Sequence, residues 1–197
     1  HNVRINITDW IPGLEESPNY NNKNKPLIGP KDLDELPLDE ITIAEVLKDN
    51  GYKTFYSGKW HLGSKGHYPE DQGFDVNVGG FEKGSPMGGY YSPYKNPNLS
   101  DGPRGEYLTD RLTQETIDFI DSSDDSKPFA AFLSFYNVHT PIQENKEFYD
   151  YYVEKLNGYD ENNPDIIVAI TFLEKYPTNI ATIAPNILGS FISINVP

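Results

Sequence analysis

Apolar positions recur with helical spacing directly after a long polar stretch. Residues 14–40 are rich in Pro, Asn, Lys and acidic residues and predict a surface loop. Thr42 and Glu45 then have the spacing of a capping box, and Gly51 stands where a left-handed C-cap would end the helix. The predicted apolar stripe of this first helix consists of Ile43, Val46 and Leu47.

A second helical pattern covers residues 108–122, with Thr109 as the expected cap. The apolar face of this helix would be formed by Leu108, Leu112, Phe119 and Ile120. Between the two helical patterns, residues 64–106 contain many Gly, Pro and Tyr without a sustained period. They predict an ordered, meandering insertion.

A strand is predicted after each helix, over residues 53–60 and 129–135. The second run is apolar except for Ser134, which is typical of a strand buried on both faces of a parallel sheet. Alternation of helix and strand predicts an α/β fold with a central, mostly parallel sheet flanked by helices.

Composition restricts the partners. The 197 residues carry a net charge of −14, which argues against attraction to nucleic acid or acidic membranes. An anionic substrate would therefore need a local basic pocket. No run reaches the length of a membrane span, and no signal segment opens the chain, although a start at His1 rather than Met is compatible with a removed leader. The absence of Cys excludes a disulfide, a thiolate nucleophile and a Cys-based zinc site in these residues.

The clearest candidate for chemistry lies at the end of the first predicted strand. In an extended segment Lys59 and His61 would share one face, and Trp60 would point into the core. Gly58 and Gly63 would let the backbone turn and approach a ligand. Ligands bind at the carboxyl ends of strands in open α/β sheets, so a cation and an imidazole at this place predict an anion site. The alternative is an exposed lysine beside a solvated histidine.

His139 lies four residues past the second predicted strand and is followed by Thr140 and Pro141. We expect it at the same edge of the sheet, where it would face the cleft of Lys59 and His61. Taken alone, it could also be a capped loop residue. His67 has no comparable context and is interpreted as a solvated loop residue.

Several segments resemble type I sulfatases of the alkaline phosphatase superfamily. Residues 51–63 (Gly-Tyr-Lys-Thr-Phe-Tyr-Ser-Gly-Lys-Trp-His-Leu-Gly) resemble the second signature of that family. Residues 6–13 (Asn-Ile-Thr-Asp-Trp-Ile-Pro-Gly) resemble the segment after the nucleophile helix of bacterial polysaccharide sulfatases. Residues 73–75 and 135–141 are similar to two further family segments, Gly-Phe-Asp and an aromatic strand end that closes in His-x-Pro. The similarity covers about residues 3–156.

The resemblance implies a partial alkaline-phosphatase-like sandwich and a sulfuric ester hydrolase that acts on a sulfated glycan or an aryl sulfate. It implies catalytic roles for three residues. Lys59 would contact sulfate oxygens, His61 would position or activate the formylglycine hydrate that serves as nucleophile, and His139 would bind sulfate or donate to the leaving oxygen. A role in polysaccharide degradation in the periplasm or outside the cell is implied by the family alone.

The chain also departs from the family pattern. Formylglycine is made from Cys or Ser in Cys/Ser-x-Pro-Ser-Arg, which is absent, and the Asp and Asn ligands of the family's calcium ion have no counterpart. Asp49-Asn50 is explained by helix capping and Asp124-Asp125 by solvation. Residues 1–156 are therefore interpreted as part of a sulfatase domain that is inactive alone. Residues 157–197 are interpreted as an atypical tail, either frameshifted or a family-specific extension.

Two other functions stay open from the sequence. A phosphodiesterase or phosphonate hydrolase of the same superfamily would share the fold. A non-catalytic remnant could bind anions or glycans, with Tyr90, Tyr91 and Tyr94 stacking on sugars.

Overall fold

A computed structural model describes residues 33–124, 126–155 and 190–195. In chain order the elements are α1 (Ile43–Asp49), β1 (Lys53–Gly58), a 3-10 helix (Pro69–Gln72), β2 (Val76–Val78), α2 (Leu108–Asp121), β3 (Phe129–Ser134), α3 (Tyr149–Lys155) and β4 (Ser190–Asn195). Both predicted helices and both predicted strands form. The predicted loop 14–40 can be assessed only over 33–40, which contain neither helix nor strand, and most of the predicted tail lies outside the described residues.

The strands form one sheet in the order β2-β1-β3-β4. β1 is parallel to both β2 and β3, whereas β4 runs antiparallel to β3. The predicted α/β class with a mostly parallel sheet is confirmed. β2 was not predicted, because three residues within a Gly- and Pro-rich stretch are too few to establish a period.

The two helices pack on opposite faces of the sheet. Ala44 of α1 belongs to a buried cluster with Tyr56 and Phe132, whereas Phe119 of α2 stacks on Phe55, the neighbour of Tyr56 in β1, with ring centroids 4.4 Å apart. Successive side chains of a strand point to opposite faces, so this division places the sheet between the helices.

The ends of α1 form as the sequence predicts. The Thr42 side chain accepts from the backbone N–H of Glu45, and the Glu45 carboxylate accepts from the N–H of Thr42. Gly51 has a φ of +85° and its N–H donates to Lys48, while the N–H of Tyr52 donates to Leu47. These two bonds form a Schellman C-cap.

The predicted apolar stripe of α1 is wrong in part. Leu47 packs against the core, but Ile43 and Val46 are 55% and 48% exposed, and the buried residue is Ala44. Residues 44 and 47 have the same helical spacing as 43 and 46, so the period fits either face. The small Ala44 side chain allows a seven-residue helix to lie close to the sheet.

The apolar face of α2 is confirmed: Leu108, Leu112 and Phe119 are buried and Ile120 is partly buried. The predicted cap is wrong. The N-cap is Tyr107, which makes no side-chain cap bond, and Thr109 lies in the first turn. Its hydroxyl donates to the side-chain oxygen of Asn137, so a tertiary partner takes the place of the backbone N–H.

The insertion is ordered as predicted, and its tyrosines form a core. Tyr90 and Tyr94 are each 1% exposed, and the Tyr90 hydroxyl donates to the carbonyls of Tyr136 and His139 at 2.8 and 2.9 Å. The half-buried Tyr91 donates to the carbonyl of Glu144 at 2.8 Å. Surface stacking on sugars is therefore wrong for Tyr90 and Tyr94, because their rings are enclosed by protein. Among the described helices, none is long and apolar enough to span a membrane.

Candidate active site

Three loops meet at one edge of the sheet. Gly58, which ends β1, pairs with Ser134 at the end of β3, and Ser57 pairs with Val78 at the end of β2. Since the three strands are parallel, the segments that follow them leave the sheet on the same side. Two predicted site residues follow β1, and His139 follows β3.

The end of β1 is set by a close backbone contact. Gly58 has a φ of +105°, and a Cβ at this position would lie 1.8 Å from the carbonyl oxygen of Ser134. The N–H of Lys59 donates to that same oxygen at 2.8 Å, and the Tyr56 hydroxyl donates to the carbonyl of Lys59. Only glycine fits here, and the strand ends two residues earlier than predicted. The argument that Lys59 and His61 share a face of one extended strand therefore does not hold.

His61 is brought to the site by a turn instead. Its φ is +62°, a left-handed conformation that His adopts more readily than most residues. Its N–H donates to the carbonyl of Phe81 at 3.1 Å, in the loop after β2. A Cβ added at Gly84 of the same loop would lie 2.4 Å from Nδ1 of the ring. The imidazole is thus held against the backbone of the second loop.

Trp60 points into the core, as predicted. Its ring contacts Tyr56 and Phe74 edge to face, with centroids 5.1 and 6.2 Å away. Its Nε1–H donates to the carbonyl of His67 at 2.8 Å. The indole anchors the segment between the two basic side chains.

The electrostatics of His61 identify its neighbours. Burial lowers the pKa of the imidazole, and the positive charges of Lys59, His139 and Lys83 lower it further. Burial also lowers the pKa of the half-buried Lys59 ammonium. These charges act on one ring at the edge where the segments after β1, β2 and β3 leave the sheet, and two of them belong to residues predicted from the sequence.

His139 is exposed, but its backbone is fixed. Its N–H donates to the carbonyl of Tyr136 at 3.0 Å, and its own carbonyl accepts from the buried Tyr90 hydroxyl. The ring Nδ1 lies 3.0 Å from the carbonyl of Thr140. The hydroxyl of Thr140 also lies 3.2 Å from Nδ1, so Thr140 can satisfy this nitrogen in either tautomer, which leaves Nε2 to meet a ligand.

Lys83 is a basic residue that the sequence did not reveal. It lies five residues past β2, and its charge acts on His61. Recognition of β2 as a strand would have placed Lys83 at the same sheet edge. The three-residue length of that strand is the reason it was missed.

His67 is a structural residue rather than a solvated one, which corrects the sequence interpretation. Its Nε2 lies 3.0 Å from a carboxylate oxygen of Glu35, and its Nδ1 lies 3.0 Å from the carbonyl of Leu36. The same carboxylate accepts from the backbone and the hydroxyl of Ser64. These bonds join residues 35–36 to the loop that carries Lys59 and His61.

Two residues of the Asp-Asn and Asp-Asp pairs set aside in the sequence are held by local bonds. Asn50 caps α1 and its side chain donates to Val46 at 2.8 Å, while the exposed Asp124 accepts from Ser126; Asp125 lies outside the described residues. Within 33–124, 126–155 and 190–195, no three His, Asp or Glu side chains come together as metal ligands.

Comparison with known proteins gives a consistent result. The family model described as Sulfatase matches residues 14–185. Arylsulfatase J of Mus musculus is 31% identical over 144 aligned positions, which cover 66% of this chain and 24% of that protein. An arylsulfatase of Hemicentrotus pulcherrimus is 31% identical, with 57% of this chain and 24% of that protein covered. The chain thus spans about a quarter of the length of these curated relatives.

The fold is also shared with a solved structure, that of Ps i-CgsB in complex with k-i-k-neocarrahexaose. The TM-score is 0.55 at 24% sequence identity, over 70% of this chain and 34% of that chain. Ps i-CgsB alone gives a TM-score of 0.53 over the same shares.

Proposed function

The chain belongs to the sulfatase family, and on that basis we propose that the full-length protein hydrolyses sulfate esters, with Lys59, His61 and His139 as anion-binding and catalytic groups. Its mostly parallel sheet between helices forms part of an alkaline-phosphatase-like fold. The observation that carries the proposal is the gathering of basic groups around His61, in a chain whose net charge is −14. A positively charged pocket in an otherwise acidic protein is suited to an anionic ligand, which the net charge of the chain would repel.

Lys59 is the strongest candidate for contact with the sulfate oxygens. Its ammonium is half-buried, and burial alone lowers its pKa, so it is a desolvated charge that forms no ion pair with a carboxylate among the described residues. A preorganised positive charge in a site of low dielectric constant stabilises a developing negative charge more than the same positive charge would in water. An incoming sulfate would supply the missing counterion.

His61 and His139 are suited to different parts of the reaction. The lowered pKa keeps His61 neutral near pH 7, so the ring can accept a proton while it positions the nucleophile. In His139 the carbonyl and hydroxyl of Thr140 engage Nδ1 and leave Nε2, through which a protonated ring would donate to a sulfate oxygen or to the leaving oxygen.

The nucleophile and the metal would come from outside the described residues. We propose that the complete enzyme uses formylglycine and a calcium ion, as the family resemblance implies. We further propose a sulfated glycan as substrate, since the relative of shared fold is in complex with a neocarrahexaose. Such polysaccharide degradation would place the protein in the periplasm or outside the cell.

The test compares hydrolysis of an aryl sulfate and the matching aryl phosphate by the full-length protein, in the wild type and in Lys59→Ala. Lys65→Ala is the matched control, because this exposed lysine follows the same strand and is not among the charges that act on His61. We expect sulfate turnover that Lys59→Ala lowers and Lys65→Ala preserves. Preference for the phosphate would indicate a phosphodiesterase or phosphonate hydrolase, and sulfate binding without turnover would indicate a non-catalytic remnant.

A further inference from the structure

The loop after β2 is a rigid support at the edge of the site. The carbonyl of Gly79 accepts from the hydroxyl of the buried Tyr136 and from the side chain of Asn96, each at 2.9 Å. The N–H of Gly79 donates to Asn98 at 2.8 Å. Two residues further along, Phe81 accepts from the N–H of His61. The backbone of this loop is therefore held at a fixed position relative to the imidazole.

Lys83 is the exposed cation on this support. It precedes Gly84, the residue whose backbone touches the ring of His61. Within the described part of the chain, no carboxylate lies within 4.0 Å of its ammonium. The adjacent Glu82 carboxylate accepts from the Tyr68 hydroxyl at 2.6 Å and is held by that bond, and the nearby charge of Lys83 helps to lower its pKa without forming an ion pair.

The two lysines of the site differ in how far their side chains are exposed to solvent. Lys59 is half-buried at the end of β1, whereas Lys83 is exposed. A sulfate ester bound at Lys59 and His61 would therefore leave Lys83 at the rim, beside the portion of the substrate that extends outward. An ammonium has three donors and acts as a compact point charge, so it suits either a sulfate or a carboxylate.

We propose that Lys83 binds a second anionic group of the substrate, so that the site prefers glycans with an acidic group next to the sulfate that is cleaved. This inference rests on the proposed function and narrows its substrate class. The second group is a sulfate or a carboxylate on the same sugar or on its neighbour. Lys83 acts as a specificity residue, because its contact lies outside the reacting group.

The experiment measures discrimination rather than rate. Three disaccharides share the cleaved sulfate and carry a second sulfate, a carboxylate or a hydroxyl group. The ratio of kcat/KM for each dianionic substrate over the hydroxyl compound is measured for the wild type, Lys83→Ala, Lys83→Arg and the control Lys65→Ala. Loss of one rim contact should lower the ratio by about fivefold in Lys83→Ala, since exposed pairs contribute up to about 1 kcal/mol. Lys83→Arg and Lys65→Ala should retain it.

Measurements at high ionic strength and of binding affinity further test the contact between Lys83 and a second anionic group. The preference should weaken at high ionic strength, because an exposed contact is screened. A ratio in Lys83→Ala equal to that of the wild type, for both dianionic substrates, would overturn the inference even if the sulfatase activity is present. If the wild type hydrolyses no sulfate ester, the proposed function is wrong independently of Lys83. The preference for each dianionic compound over the hydroxyl compound is then measured as a ratio of dissociation constants by calorimetry. A preference for one dianionic compound alone would support the inference and identify the group.

Discussion

Substitution of Gly84 by Ala tests the placement of His61 without removal of any functional group. Gly84 lies outside the left-handed region of φ, so its backbone accepts an alanine. The added methyl group would lie 2.4 Å from Nδ1, 2.7 Å from Cε1 and 3.0 Å from Cγ of the imidazole. An ordinary contact needs about 3.4 Å or more, so the ring must move by about 1 Å.

The expected loss of activity is large compared with the loss of stability. A displacement of about 1 Å at a reacting group costs about a hundredfold in rate. Added bulk in a well-packed core costs about 1–3 kcal/mol. The half-buried ring can move outward, so we expect the free energy of unfolding of Gly84→Ala to fall by no more than the lower end of that range.

Gly66→Ala is the matched control. Gly66 has a φ of +100° and nothing within 4 Å of an added Cβ, so alanine there strains the backbone by about 1–2 kcal/mol without contact with His61. We expect this variant to lose stability and keep its turnover, in contrast to Gly84→Ala. Turnover of an aryl sulfate by the full-length protein and urea unfolding measure the two quantities. Near-wild-type turnover in a folded Gly84→Ala protein would refute the assigned position of His61.

Other consequences are also testable. Lys59→Ala and His139→Ala should each lower sulfate-ester turnover of the full-length protein by about a hundredfold or more, as for loss of one charge-stabilising group; near-normal rates in both would contradict the site. The 197-residue chain alone should show no turnover, since it contains neither Cys nor Ser-x-Pro-Ser-Arg, and activity of pure material would overturn this. Because the pKa of His61 is below its ordinary 6.5 in the folded protein, the unfolded chain binds more protons between those two values. The free energy of unfolding should therefore rise with pH through that window and level off above it, and His61→Gln should reduce the rise; an unchanged profile would show that His61 does not contribute. His67→Ala should destabilise the protein by about 1–2 kcal/mol in urea, because it loses two hydrogen bonds that join residues 35–36 to the site loop; an unchanged midpoint would contradict this.

The parts of the fold that the sequence predicts are those with a local cause. The capping box at Thr42 and Glu45 depends on two side chains three residues apart, and the C-cap at Gly51 on one left-handed residue. β3 is recognisable because five of its six residues form an apolar run, which is long enough to read as a buried strand. Once two parallel strands are known, their carboxyl ends place Lys59 and His139 at one edge.

The parts that the sequence misses depend on distant partners. Thr109 would suit a cap, but Asn137 binds its hydroxyl. His67 looks like a loop residue until Glu35, remote in sequence, is placed beside it. Lys83 lacks a signal because the strand before it is three residues long. Ala44 is buried because it is small, which a search for large apolar residues passes over.

The central claim is that Lys59, His61 and His139 form one anion site, and titration of the chain with inorganic sulfate tests it most directly. Imidazole signals of His61 and His139 would be followed by NMR at fixed pH and ionic strength, with His67, whose two ring nitrogens already contact Glu35 and Leu36, as an internal control. We predict that both site histidines shift with one shared dissociation constant, that His67 does not follow, and that Lys59→Ala weakens the binding. Shifts that do not saturate, or different constants for the two site histidines, would contradict the account.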